Sequence, residues 1–138
     1  RRGPSVVLTN PPTEDPTMQY MLLIYSAESD RPAMTPEDQG TMMKAYMDFS
    51  AAIQAEGIMV AGDALKDTKL ATTVRVRDGK AVNTDGPFAA TKEQLGGYYL
   101  IDVPDLDKAL EVAARLPGSW YGSVEVRPVM NPEDYGKA

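Results

Sequence analysis

The chain has 138 residues, 43% of them apolar and 25% charged, which is the size and composition of one globular domain. Its formal net charge of -6, with no Lys/Arg cluster, repels a polyanion on average, so nucleic acid is not an expected partner. No apolar run approaches the roughly 20 residues of a membrane span, and no apolar signal segment opens the chain, so a cytoplasmic protein is expected.

There is neither Cys nor His. That excludes disulfides, thiol nucleophiles, Ser-His and Cys-His pairs and the familiar zinc sites. Proton transfer falls to Asp, Glu, Lys or Tyr, and any metal would be a hard, oxygen-liking ion.

Residues 1–17 carry Pro4, Pro11, Pro12 and Pro16 without a periodic pattern. They read as a disordered leader or an appended extension, with Val6, Val7 and Leu8 as the part able to order against a neighbour. The folded domain is expected over residues 18–138, with Met18 as its natural start. From Gln19 to Ser26 the run Tyr20 to Tyr25 is apolar at nearly every position, as in a strand covered on both faces. Thr35, Pro36, Glu37 and Asp38 supply a capping hydroxyl, a first-turn proline and acidic residues over the positive helix end. A long helix therefore starts there, with Met42, Tyr46, Phe49 and Ile53 as its buried stripe and Gly57 as its stop. Ile58 to Val60 follow as a short strand.

Thr73 to Arg77 and Lys80 to Thr84 flank Asp78-Gly79, a pair that favours the type I′ turn of a hairpin. Arg75 and Arg77 share one face of it by parity, for an anionic ligand or for plain solvation. Tyr98 to Val103 is a second strand of nearly continuous apolar character. Asp105 caps a second helix whose expected stripe is Leu106, Ala109, Leu110 and Ala113, ended by Pro117-Gly118. Val124, Val126 and Val129 mark a last strand, with Pro128 pointing to an edge or a bulge.

The fold class is therefore α+β: a ferredoxin-like βαββαβ plan with an inserted β-hairpin. That plan leaves one sheet face open, whereas two of these strands are apolar on both sides. A second copy of the chain is the economical cover, and a homodimer is expected.

The segment Asp85 to Val103, DGPFAATKEQLGGYYLIDV, resembles the signature of the DGPF branch of the YCII-related family. YMLLIY (Tyr20 to Tyr25), TTVRVRDGK (Thr72 to Lys80) and YGSVEVRPV (Tyr121 to Val129) are similar to it as well. The resemblance spans Met18 to about Met130 and implies a dimeric α/β barrel, a cytoplasmic bacterial protein and a functional link to extracytoplasmic-function sigma factors. It implies no particular reaction. Better-studied YCII-type relatives are proposed to use a His-Asp pair in the cleft. Here Tyr46 falls near the histidine position, and a phenol with a pKa of about 10 is a poorer base than imidazole at neutral pH. Asp63 stands roughly where a cleft residue of the relatives lies.

The turn Asp85-Gly86-Pro87-Phe88 has two readings. Structurally, Asp85 accepts backbone N–H bonds and Phe88 fills the core. Functionally, the turn is a cleft wall, with Asp85 and Tyr46 as the acid–base candidates and Phe88, Lys92, Glu93, Asp63 and Tyr25 as ligand contacts. If a small molecule binds, it is expected to touch both the Asp85 to Glu93 turn and the helix face bearing Tyr46. Gly96-Gly97 signals a bulge or a close backbone approach. Neither GxGxxG between a strand and a helix nor GxxxxGK[ST] occurs, so no nucleotide cofactor is expected. Met42, Met43 and Met47 read as core and dimer filler, and Trp120 and Tyr121 either line a cleft or pack. Glu28, Asp30, Glu37 and Asp38 form an acidic rim, read as solvated charge ahead of a hard-cation site; no metal is expected.

Two functions compete. One is a cofactor-free acid/base enzyme acting on a small polar molecule in a cleft near the dimer interface. The other is a noncatalytic accessory or regulatory protein associated with a sigma factor.

Overall fold

The computed structural model describes residues 17–136, with backbone alone for residues 31–33; the leader with Val6, Val7 and Leu8 lies outside the described residues. In chain order the elements are β1 (Met18–Ser26), α1 (Pro36–Ala55), β2 (Met59–Ala64), β3 (Thr72–Arg77), β4 (Lys80–Asp85), β5 (Gln94–Val103), α2 (Leu106–Arg115), α3 (Gly118–Tyr121) and β6 (Ser123–Pro128). Short 3-10 turns at Glu28–Ala33, Thr68–Leu70 and Pro132–Asp134 join them.

Four strands form one antiparallel sheet in the order β2-β5-β1-β6, and β3 and β4 form a separate two-stranded one. With the hairpin set aside, order and direction are compatible with the ferredoxin-like plan. Along β1 burial alternates: Tyr20, Leu22 and Ile24 are buried, whereas Met21, Leu23 and Tyr25 are half-buried. The buried side chains meet Ile101 and Val103 of β5, Phe49 and Ile53 of α1, and Ala109, Val112 and Ala113 of α2. Both long helices thus cover one sheet face. Fully burying a Leu or Ile contributes about 1.5–3 kcal/mol, and Leu22, Ile53 and Ile101 are each completely buried.

Local chemistry sets the ends. Thr35 and Asp38 form a reciprocal capping box at the start of α1, with Asp38 N donating to Thr35 Oγ1 at 3.0 Å. Gly57 follows the helix at φ 75°, where a Cβ would be strained. Asp78 at φ 54° and Gly79 at φ 76° make the expected type I′ turn. The glycine pair does enter β5 through a bulge: Ile24 pairs with Gly97 and Tyr25 with Leu95, leaving Gly96 without a partner on β1, while its carbonyl accepts from Leu65 N at 2.8 Å.

Four expectations are corrected. β2 and β5 run longer than Ile58 to Val60 and Tyr98 to Val103. Helix α2 buries Ala109, Val112 and Ala113, while Leu106 and Leu110 are exposed on its flank. Met43 and Met47 are exposed on α1 and so are not core. Phe88 does not fill the core either; it is 78% exposed, with the Arg75 guanidinium 5.5 Å above its ring.

Candidate functional site

A cavity of about 360 Å³ opens between α1, the end of β2, the bulged start of β5 and α3. Its floor is Ile24, Met59 and the backbone at Gly62, Gly96 and Gly97. These glycines have packing reasons to be there. A Cβ on Gly62 would come within 2.8 Å of Tyr99 Cδ2, and one on Gly97 within 3.0 Å of Asp63 O, distances that side chains do not sustain without displacement.

Two pairs of hydroxyl groups form its polar wall. Tyr46 of α1 and Tyr121 of α3 are hydrogen-bonded through their hydroxyls at 2.8 Å. Ser50, one turn beyond Tyr46, meets the Tyr99 hydroxyl at 2.7 Å, and the Tyr99 ring stands edge-on to Phe49 at 5.1 Å. Burial, then the bond to Tyr121, pushes the Tyr46 phenol well above its ordinary value, against a backbone hydrogen bond at Gly118 that pulls it down. Desolvation disfavours the charged form, so Tyr46 stays protonated and serves as a neutral hydrogen-bonding group. Gly118 leaves it room: a Cβ there would lie 2.8 Å from the Tyr46 hydroxyl and 2.6 Å from Ile24 Cγ2.

The cavity continues into a wider groove of about 670 Å³ that shares Ser26, Tyr46, Ala64 and Tyr121 and is walled by Met34, Met42 and Met43, with Asp30 at its rim.

Of the residues expected from the sequence, Tyr46 and Asp63 line the cavity. Asp63 pairs with Tyr98 across β2 and β5, and its carboxylate accepts the Tyr98 hydroxyl at 3.0 Å. Tyr99 and Tyr98 point to opposite faces, so the Asp63 carboxylate lies on the face away from the Tyr99 wall. Its bond raises the Tyr98 phenol above the ordinary value. Asp85, Phe88 and Lys92 are exposed and are not among the described lining residues. The reason is topological: Thr72 pairs with Asp85 and Gly86 N bonds Ala71 O, so the turn closes the base of the hairpin instead of leaning over the sheet. Glu93 is half-buried and accepts from Ser123 Oγ at 3.1 Å. Tyr25 is half-buried on the sheet face opposite the helices, between Leu95 and Ser123.

Ser50, Tyr99 and Met59 were not singled out in the sequence. For Ser50 a signal existed, its four-residue spacing from Tyr46 on one helix face. Tyr121 does line the cavity, whereas Trp120 is 67% exposed. Among the described residues no group of three or more His, Cys, Asp or Glu is placed to hold a metal. Glu28, from the acidic rim, accepts from Thr68 N at 2.9 Å and Thr68 Oγ1 at 2.6 Å instead. No helix among the described residues is long and apolar enough to cross a membrane.

A model of the YCII-related domain matches residues 18–133. An uncharacterised protein of Rhizobium meliloti (strain 1021) is similar, 38% identical over 114 residues that cover 81% of this chain and 92% of the relative. The chain belongs to the YCII-related family.

Proposed function

We propose that the chain is a noncatalytic, homodimeric binding protein that takes a small organic molecule in the cavity between α1, β2, β5 and α3. The observation that carries this reading is the pairing of hydroxyls, Tyr46 with Tyr121 and Ser50 with Tyr99, on the wall of a recess otherwise made mostly of apolar side chains and glycine backbone, with Ser26 and Asp63 as its other polar residues. A concave, mostly apolar site with a few converging polar groups is the usual form of a small-molecule site. Ala64 is exposed at the mouth of both cavity and groove. Ala64→Phe fills the mouth, so it should abolish the thermal stabilisation given by hits from a metabolite screen while leaving the unliganded melting temperature nearly unchanged. Retained stabilisation would place the ligand elsewhere.

The acid/base reading needs a carboxylate facing that recess. Asp63 is bonded to Tyr98, and Asp85 stands at the base of the hairpin. Within one chain, binding is the better supported role, and it suits the accessory function that the resemblance implies. The dimer, closed into an α/β barrel, is supported by the second sheet face, where Met21, Leu23, Tyr25, Tyr98 and Leu100 remain half-exposed and, among the described residues, no helix packs over them. A contiguous apolar patch beyond a few hundred Å² is unusual on a monomer. Light scattering should give twice the chain mass at micromolar concentration; a monomer would contradict this part of the reading.

A further inference from the structure

Resting on the cavity reading, we infer that the ligand is an uncharged molecule with a carbonyl or hydroxyl head for the paired hydroxyls and an apolar body lying along the methionine groove. Within each hydrogen-bonded hydroxyl pair one proton is used internally and the other remains free. Each pair therefore presents one O–H donor together with lone pairs, which matches a neutral carbonyl or hydroxyl group. None of the described lining residues of cavity or groove is Lys or Arg. An anion entering there would leave its hydration shell without a counter-charge, which costs far more than the same transfer of a neutral group. Asp30 at the groove rim and the overall charge of -6 add to that bias. Beyond the hydroxyls the wall is mostly thioether and aliphatic carbon from Met42, Met43 and Ile24, with Gln39 as a neutral polar residue of the groove. Methionine is unbranched and polarisable, and it adapts to flat or irregular apolar bodies.

Benzamide and benzoate test this, because they share ring and shape and differ in charge. Titrated calorimetrically into the full chain at neutral pH, benzamide should bind at least about tenfold more tightly than benzoate, since the charged head loses hydration without a partner. Tyr46→Phe should weaken benzamide by roughly 2- to 10-fold, the range of one neutral hydrogen bond. Tyr121→Phe, at a half-exposed residue, should do the same if Tyr46→Phe disturbs folding. Benzoate binding as well as or better than benzamide, with the Ala64→Phe variant blocking both, would overturn the uncharged class and leave the cavity reading standing. Failure of both probes and of every screened metabolite to bind would remove the cavity reading, and this inference with it.

Discussion

Along β5 every second side chain from Gly97 to Val103 is buried, whereas along β3 and β4 every residue except the half-buried Thr73 is exposed. Both regions are rich in β-branched and aliphatic residues. The contrast comes from what alternates with them. β5 presents Tyr99, Ile101 and Val103 to the helices and Tyr98 and Leu100 to the other face, so both faces are worth covering. β3 places Val74 and Val76 on one face and Arg75 and Arg77 on the other, with Val82 and Lys80 opposite the arginines. A two-stranded ribbon with a cationic face is marginal in water by itself. Its base is instead closed within the hairpin, with Gly86 N donating to Ala71 O at 2.7 Å and Thr73 Oγ1 to Gly86 O at 2.9 Å, and the turn before β3 is held to the segment after β1, where Glu28 accepts from Thr68 N at 2.9 Å. Strand propensity made both elements, but only two-sided apolar patterning put one of them in the core.

The sharpest way to break this comparison is truncation in each region. Ile53→Ala, at a residue with no exposure, should lower the unfolding free energy by about 2–5 kcal/mol in chemical denaturation. Val76→Ala, at a residue 60% exposed, should change it by about 0.5 kcal/mol or less. A large loss at Val76 that grows on dilution would show that the arm is buried against a second copy.

Next in size is Gly118→Ala. The added methyl meets Ile24 Cγ2 and the Tyr46 hydroxyl, and overpacking of this kind costs about 1–3 kcal/mol. Because it also shifts Tyr46, ligand stabilisation should fall more than stability does. Equal losses of both would mean that Tyr46 only packs.

The smallest effect is expected at alkaline pH. The folded-state value of the Tyr46 phenol is raised, so the folded chain holds that proton more tightly than the unfolded one. The resulting stability is fully present below the ordinary phenol value of about 10 and is lost as pH rises beyond it. Tyr46→Phe should flatten the alkaline limb of the stability profile and leave the neutral region's slope unchanged. An unchanged alkaline limb would contradict the burial argument.

Much of the fold was legible because its signals are local. Thr35-Pro36 with Asp38 marks a helix start, Asp78-Gly79 a hairpin turn, and the YMLLIY run a central strand, each within a few residues. On α2 the expected stripe is right at Ala109 and Ala113 but takes in Leu106 and Leu110 and leaves out Val112, because hydrophobicity alone favours the leucines. Packing against the sheet selected the small residues together with Val112. The cavity was legible only through Tyr46, Asp63, Tyr121 and the Gly96-Gly97 pair. It joins residues far apart in the chain, with Ser50 and Tyr99 separated by 49 positions and Tyr46 and Tyr121 by 75, and no short motif encodes such a meeting. The DGPF turn drew notice for the opposite reason: its residues are adjacent, and turn chemistry alone accounts for most of them.

The most direct test of whether the site lies at the hydroxyl pairs or at the DGPF turn is methyl NMR of the methionines during a benzamide titration. Met59 on the cavity floor and Met42 and Met43 in the groove should shift in a saturable manner, while Met18 and Met130, outside both linings, should not. Backbone amides from Asp85 to Phe88 should stay in place. Saturable shifts confined to the DGPF turn, with the Met59 methyl unmoved, would contradict the account.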